Sequence, residues 1–391
     1  MLKDKSAYNS TKTVVFVTTN ALIAEKLRKI QHKINNDLVA GVQNINIELQ
    51  TDKEFFKDKD RFTNYISQKN VKLVILFSFG AIIKKWALEL VPMLNVHFSL
   101  LPQYRGAVPV IASILNGDNE TGITIHKVEP EIDAGDILLQ VKYRYAENDT
   151  AKSAFEALTN ISINMLENML LGQNIDKGIV FENLEFLYVP GGAGVSGAFG
   201  TSGASGAQDN SNNSSFGHDI RQNSGQNALN LDVLLDLDKY SILFKQQAGV
   251  VSYAPFSLMD TKNSFVSFKR LTAREISNRV RAFYDNPLAR GYVNFIDQRR
   301  LFLLHKVEPI SCQVSRNISS NQTHYIDNIQ NQFCEQLRRL QPGQVLFSKT
   351  HGLLVKTLLG AIKIVQGGLE NKKILKDKEL LSLKGKLREF L

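Results

Sequence analysis

Two structural classes in one chain are what the sequence predicts: an α/β first domain built on a parallel-rich sheet, and a small β-barrel at the carboxyl-terminal end. Three observations carry this. Continuously apolar β-branched runs alternate with helical patterns through roughly the first 170 residues. A stretch rich in glycine, serine and asparagine then breaks the chain over residues 190–228. Short β-like runs separated by turn residues fill the remainder. With 391 residues, 43% of them hydrophobic, there is material for two cores. The expected divisions are residues 1–182, an insertion and linker over 183–243, and a basic domain over 244–391.

Residues 12–19, KTVVFVTT, form a β-branched run without helical period, and Ile23, Leu27 and Ile30 then recur at helical spacing. A second apolar run, VKLVILFSF at 71–79, has the composition of a strand buried on both faces. MLNVHFS predicts the next strand, running out into a loop where ligands gather in parallel sheets. AVPVIASILNG reads as a short helix ended by Gly117. TGITIHKV and ILLQVKYRY read as strands flanking the loop EPEIDAGD. Phe155, Leu158, Ile161, Met165 and Leu166 then line one face of a long helix.

The stretch 190–228 holds nine of the 25 glycines, and only Asp209, Asp219 and Arg221 carry charge, so it has no material for a core. Within it GAGVSG spells G-x-G-x-x-G, but no helix follows to bind a pyrophosphate, and the match is discarded. Farther on, LTAREISNRVRAFYDNP carries a capping box from Thr272 to Glu275, with Ile276, Val280 and Phe283 on one face. Arg274 and Arg281 fall on the opposite face, placed to meet a ligand. GYVNFI, RLFLLHKV, GQVLFSK, GLLVKTLL and AIKIVQ are the expected barrel strands.

Charge separates the two halves. Residues 245–391 hold 24 Lys+Arg against 11 Asp+Glu, a net of +13, while residues 1–244 carry −4. A basic module beside a near-neutral one fits a polyanion partner for the first and chemistry in the second. Cys312 and Cys334 are the only cysteines, which suits a reducing compartment. No apolar run approaches the ~20 residues of a membrane span. The first dozen residues lack the apolar segment of a leader, so a cytoplasmic protein is expected.

The chemistry centres on LNVHFSLLPQYRGAVPV, residues 94–110. Asn95 and His97 share parity on a strand, so both side chains face one side. Asparagine offers an uncharged donor, and histidine exchanges a proton near neutral pH. The pairing suits attack on a carbonyl, where an oxyanion forms and an amine sheds a proton. Asp133 is the leading candidate for orienting the imidazole, its loop being expected to leave the sheet at the same edge. Asn-x-His alone equally allows two side chains that merely tie down a tight loop.

NVHFSLLPQYRGAVPV, followed by NGDNETGITIHKVEPEIDAGDILLQ, resembles the folate-dependent formyltransferase family. The resemblance is closest to its tRNA-directed branch, and continues through VVSYAP, ISNRVRAF, PGQVLFSKTHGLLVKT and GAIKIVQ. It implies a Rossmann-like first domain and an OB-like barrel that contacts tRNA, for which Arg274 and Arg281, opposite the apolar stripe of their helix, are the candidate contacts. It further implies transfer of a formyl group from 10-formyltetrahydrofolate to the amino group of methionyl initiator tRNA, by a monomer without metal. Asn95, His97 and Asp133 fall on the family's catalytic residues; Asn95 and protonated His97 would bind the oxyanion while Asp133 holds the imidazolium. The pteridine would lie against Phe79, Gly80, Ala81 and Ile82 and against Glu129, Pro130, Glu131 and Ile132, with Ser99, Leu100, Pro102, Arg105 and Gly106 shaping the other wall. The chain departs from the family at its first turn, where FVTTNALI has no glycine, and in lacking a loop rich in basic residues after the first helix. A sugar-amine N-formyltransferase using the same donor and a noncatalytic RNA-binding relative are the competing readings.

Overall fold

The structure, a computed structural model, describes residues 11–39, 45–171, 173, 175, 184–188, 244–285, 287–310 and 333–391. The glycine-rich stretch with its GAGVSG segment, and Cys312, lie outside the described residues. By packing, the chain forms two compact units: Met1–Pro109 with Glu120–Arg144 and Glu156–Tyr253, and Val110–Asn119 with Tyr145–Phe155 and Ala254–Leu391.

In the first unit the strands are β1 (Lys12–Val17), β2 (Ile45–Gln50), β3 (Val71–Phe77), β4 (Met93–His97), β5 (Glu120–Lys127), β6 (Ile137–Arg144) and β7 (Leu184–Tyr188). They form one sheet in the order β2-β1-β3-β4-β5-β6-β7. The first four are parallel, and β5, β6 and β7 each pair antiparallel. Only short loops join β5 to β6, too short for the crossover that a parallel pair requires. Helices α1 (Ala21–Val39), α2 (Lys59–Gln68), the single turn α3 (Lys85–Leu88), α4 (Pro109–Asn116) and α5 (Ala151–Leu170) complete the order up to β7. Asn20 starts α1 by accepting from the Leu22 and Ile23 amides at 3.0 and 3.2 Å, and Asp58 caps α2 by accepting from the Arg61 amide.

β1 and β3 are buried on nearly every residue, as their unbroken apolar composition requires. Beside them Phe55, Phe56 and Phe62 pack edge-on or tilted with centroids 5.0–5.3 Å apart.

The second unit contains α6 (Ala273–Ala282) and the strands β8 (Ala289–Phe295), β9 (Arg299–Ile310), β10 (Val345–Ser348), β11 (Gly352–Lys356), β12 (Ala361–Leu369), β13 (Leu375–Lys376) and β14 (Leu387–Phe390). The capping box forms as its sequence dictates: Thr272 Oγ1 accepts from the Glu275 amide and Glu275 accepts from the Thr272 amide. The strands pair antiparallel in the order β10-β11-β12-β9-β8-β14, with β13 on β12. A bridge between Gln344 and Glu389 brings the two ends together, so the sheet is a nearly closed barrel. Phe268, Phe302 and Phe390 fill it, with centroids 4.7 and 5.3 Å apart. Cys334 is disulfide-bonded. No helix among the described residues is long and apolar enough to cross a membrane.

Candidate active site

β4 places Asn95 and His97 on one face, and both turn toward Asp133. Asn95 Nδ2 donates to Asp133 Oδ1 at 3.2 Å, and His97 Nδ1 lies 3.5 Å from Asp133 Oδ2. A second imidazole completes the cluster. His126, opposite Asn95 in the β4–β5 register, has Nε2 at 3.2 Å from Asn95 Nδ2 and 3.5 Å from Asp133 Oδ1. Its Nδ1 donates to the Lys127 carbonyl at 2.7 Å, which leaves Nε2 facing the Asn95 amide and Asp133. Both Asn95 N–H bonds are then committed, one to His126 and one to Asp133. Asn95 can donate to a reacting oxygen only by exchanging one of these partners, a constraint that the strand parity gave no sign of.

Asp133 reaches this cluster by a route that differs from the expectation. Because β5 runs antiparallel to β4, its loop leaves the sheet beside Met93, at the amino-terminal end of β4. The loop folds back over the face, and Asp133 takes a left-handed conformation, φ 51°, to do so. The loop after β4 is held in the same manner. Tyr104 has φ 58°, its amide donates to Ser252 Oγ at 2.9 Å, and its carbonyl accepts from His97 Nε2 at 3.0 Å. Gly106, at φ 113° where a side chain is costly, presents its amide to Asp133 Oδ2 at 2.7 Å. Left-handed residues persist where the surroundings over-determine them, and here both are tied through backbone and side chain.

Much of that tying comes from the segment after the insertion. Gln247 Nε2 donates to the carbonyls of Asp133 and Gly135 at 2.8 and 2.9 Å. Its Oε1 accepts from Arg105 Nη2 at 2.8 Å, while Arg105 Nη1 pairs with Glu131 at 2.7 Å. The Arg105 amide donates to the Ser252 carbonyl at 2.9 Å. One glutamine thus joins the loop of His97 to the loop of Asp133. Nothing in a single sequence marks Gln247, because its partners lie more than a hundred residues away. His126 carried a weak signal, as an imidazole inside an apolar strand.

Electrostatically the cluster is built around the Asp133 carboxylate. Burial alone would raise the Asp133 pKa, but the His126 hydrogen bond, the electrostatic pull of His97 and His126 and the Gly106 amide outweigh it and hold the carboxyl at about 2. His97, 5% exposed, is pushed below its ordinary value by burial, against the opposing pull of Asp133. That direction favours a neutral ring in the resting site, with its proton on Nε2 toward the Tyr104 carbonyl.

The remaining expected residues divide by exposure. Gly80, Ala81, Glu129, Pro130, Glu131 and Ile132 are exposed, and Ile82 is 79% so. Phe79 instead packs edge-on against Phe56 at 5.4 Å. Ser99 is fully buried, its hydroxyl donating to the Gln103 carbonyl at 2.6 Å, and Pro102 is buried with a cis peptide bond before it. Leu100 is half-buried. In the second unit, Arg274 donates to the Gly117 carbonyl at 2.8 Å, and Arg281 to the Asp149 carbonyl and the Asn278 amide oxygen. Those guanidiniums hold chain segments within their own unit, while Arg274 stays exposed and Arg281 is half-buried. Residues 110–119 and 145–155 belong to the same unit as α6. Among the described residues no group of three or more His, Cys, Asp and Glu is arranged to hold a metal ion.

Comparison with known proteins agrees with this architecture. Residues 2–170 match the family described as Formyl transferase, and residues 258–384 match Formyl transferase, C-terminal domain. A methionyl-tRNA formyltransferase of Borreliella burgdorferi is 37% identical over 123 residues, 31% of this chain and 39% of the relative. That of Koribacter versatilis is 35% identical over 132 residues, 33% of this chain and 42% of the relative. The chain thus spans about two fifths of the length of the curated relatives it matches. Among solved structures, a variant of HypX from Aquifex aeolicus is 15% identical with a TM-score of 0.50, over 96% of this chain and 48% of that one, a likeness of fold. With both its first domain and its barrel matched, the chain belongs to the formyl transferase family.

Proposed function

We propose that this protein transfers a formyl group from 10-formyltetrahydrofolate to the amino group of methionyl initiator tRNA. The observation that carries the reading is the ionised Asp133, bonded to Asn95 and set beside a neutral, buried His97. When the amine attacks the formyl carbon, a carbon–nitrogen bond forms and the carbonyl oxygen becomes an oxyanion. The amine then loses a proton, and collapse of the oxyanion expels the folate nitrogen, which gains one. A neutral His97 accepts the amine proton, and Asp133 stabilises the resulting imidazolium. Asn95 releases one of its two partners and donates to the oxyanion. His126 takes no proton in this scheme; it orients the Asn95 amide.

The donor fits the loops around the cluster. Gly80, Ala81 and Ile82 make no backbone hydrogen bond to other described residues, and Ile82 and Ile132 present exposed apolar surface. Unused peptide groups beside apolar side chains suit a flat, polar-edged pteridine. For the acceptor, the similarity to methionyl-tRNA formyltransferases and the net +13 of residues 245–391 favour tRNA over a sugar nucleotide. In this reading residues 1–182 carry the reaction, 183–243 are an insertion, and 244–391 engage the tRNA, in a cytoplasmic monomer.

Incubation with 10-formyltetrahydrofolate and either methionyl initiator tRNA or an amino-sugar nucleotide separates the acceptors. Formylation of the tRNA alone is expected. Formylation of the sugar nucleotide alone would move the reading to a sugar-amine enzyme, and formylation of neither would leave an RNA-binding relative.

A further inference from the structure

The second unit contains a cleft of about 480 Å³ whose lining includes Phe265, Lys269, Arg270, Arg279, Tyr292 and Arg299. No Asp or Glu side chain lines it. Lys269 is paired with Glu389 at 3.1 Å. None of Arg270, Arg279 and Arg299 makes a salt bridge to a described Asp or Glu, although Glu275 acts on Arg279 through space, and Leu391 is among the lining residues. Arg279 is half-buried, and its one hydrogen bond to protein goes to the Phe265 carbonyl at 3.0 Å. Removing a cation from water is costly, the distant charge of Glu275 offsets only part of that cost, and an anion in the cleft would relieve the rest.

The cleft also carries a column of flat groups. Phe265 and Tyr292 stack with centroids 5.6 Å apart and planes at 28°, and the Arg299 guanidinium lies 4.0 Å from the Tyr292 ring centroid. Tyr292 is 38% exposed and Arg299 is exposed, so the column reaches solvent. Aromatic and guanidinium planes of this kind accept another flat ring. Guanidiniums without a salt bridge to a described Asp or Glu, beside such a column, are the two halves of a site for a nucleotide.

We propose that this cleft binds a phosphorylated aromatic ring of nucleotide type, with its phosphate between Arg270 and Arg279 and its ring on the Phe265–Tyr292–Arg299 column. The same chemistry is supplied by an unpaired nucleotide of an RNA or by a free nucleotide. The inference stands on the cleft alone and does not depend on the formyl transfer reaction.

The test is calorimetric titration of the full chain with adenosine monophosphate, adenosine, inorganic phosphate and a single-stranded RNA tetranucleotide. Arg270→Ala and Tyr292→Ala are titrated in parallel, each first checked for an unchanged melting temperature. Arg270 is exposed and outside the barrel core, so its variant keeps the test usable if Tyr292→Ala fails to fold. We expect the monophosphate or the tetranucleotide to bind more tightly than adenosine or phosphate alone, and each substitution to weaken that binding at least about tenfold. Binding of both identifies a free nucleotide as sufficient, and binding of the tetranucleotide alone identifies RNA. Absence of binding by both, affinity for inorganic phosphate equal to that for the monophosphate, or affinities unchanged in the folded variants would overturn the proposal.

Discussion

Replacing Asp133 with Asn keeps the shape of the side chain and removes its charge. Asp133 is held at about 2 in the folded protein against an ordinary 3.8. At about 1.4 kcal/mol for each pH unit between the two values, the native environment favours the carboxylate by roughly 2 kcal/mol. Because the folded value is the lower one, this stability is fully present above pH 3.8 and is lost as the pH falls through 2. About 1 kcal/mol of it is gone by pH 3. The substitution also turns an amide nitrogen toward donors, since the Gly106 and Asn95 N–H groups point at the two carboxylate oxygens. Urea unfolding of the two proteins at pH 7 should differ by roughly 2 kcal/mol, and the gap should narrow by about 1 kcal/mol at pH 3. Equal stability at pH 7, or a gap unchanged at pH 3, would refute the claim that Asp133 is held ionised by its neighbours.

Gln247→Ala should lower turnover while folate affinity stays close to that of the parent, because Gln247 holds the Asp133 and Arg105 loops together; an unaltered turnover would show that these loops keep their geometry unaided. Gly135→Ala should destabilise by about 3 kcal/mol in thermal unfolding, since an added Cβ would lie 2.1 Å from the Lys127 carbonyl. If His97 is the base, the acidic limb of kcat/KM should fall below the ordinary imidazole value of 6.5. Asp133→Asn should move that limb farther down, because the carboxylate opposes the effect of burial on His97. A limb that stays in place in the variant would show that another group is titrating.

The parallel half of the first sheet was legible in the sequence because β1 and β3 are apolar on every inward position, a pattern that needs no tertiary information. The same holds for the Thr272 capping box, whose partners are three residues apart. Asn95, His97 and Asp133 were legible through their ordered motif, and the structure brings them into contact. Strand direction was not, since an apolar strand looks the same whichever way it runs; hence Asp133 arrives over the sheet face from the unexpected end. Long-range partnership was equally hidden. Gln247 touches Asp133 and Gly135 across the insertion, and Arg281 meets the chain at Asp149, contacts that depend on how distant segments pack.

The central claim is that the Asn95–His97–Asp133 cluster performs formyl transfer rather than merely shaping a loop. Its most direct test is single-turnover transfer from 10-formyltetrahydrofolate to methionyl initiator tRNA by the parent protein and by His97→Ala, with folate affinity measured alongside. The account predicts a rate about a hundredfold or more lower in the variant, as for a group acting mainly in the transition state, with folate affinity little changed. Transfer at the parent rate by a folded His97→Ala protein would contradict it.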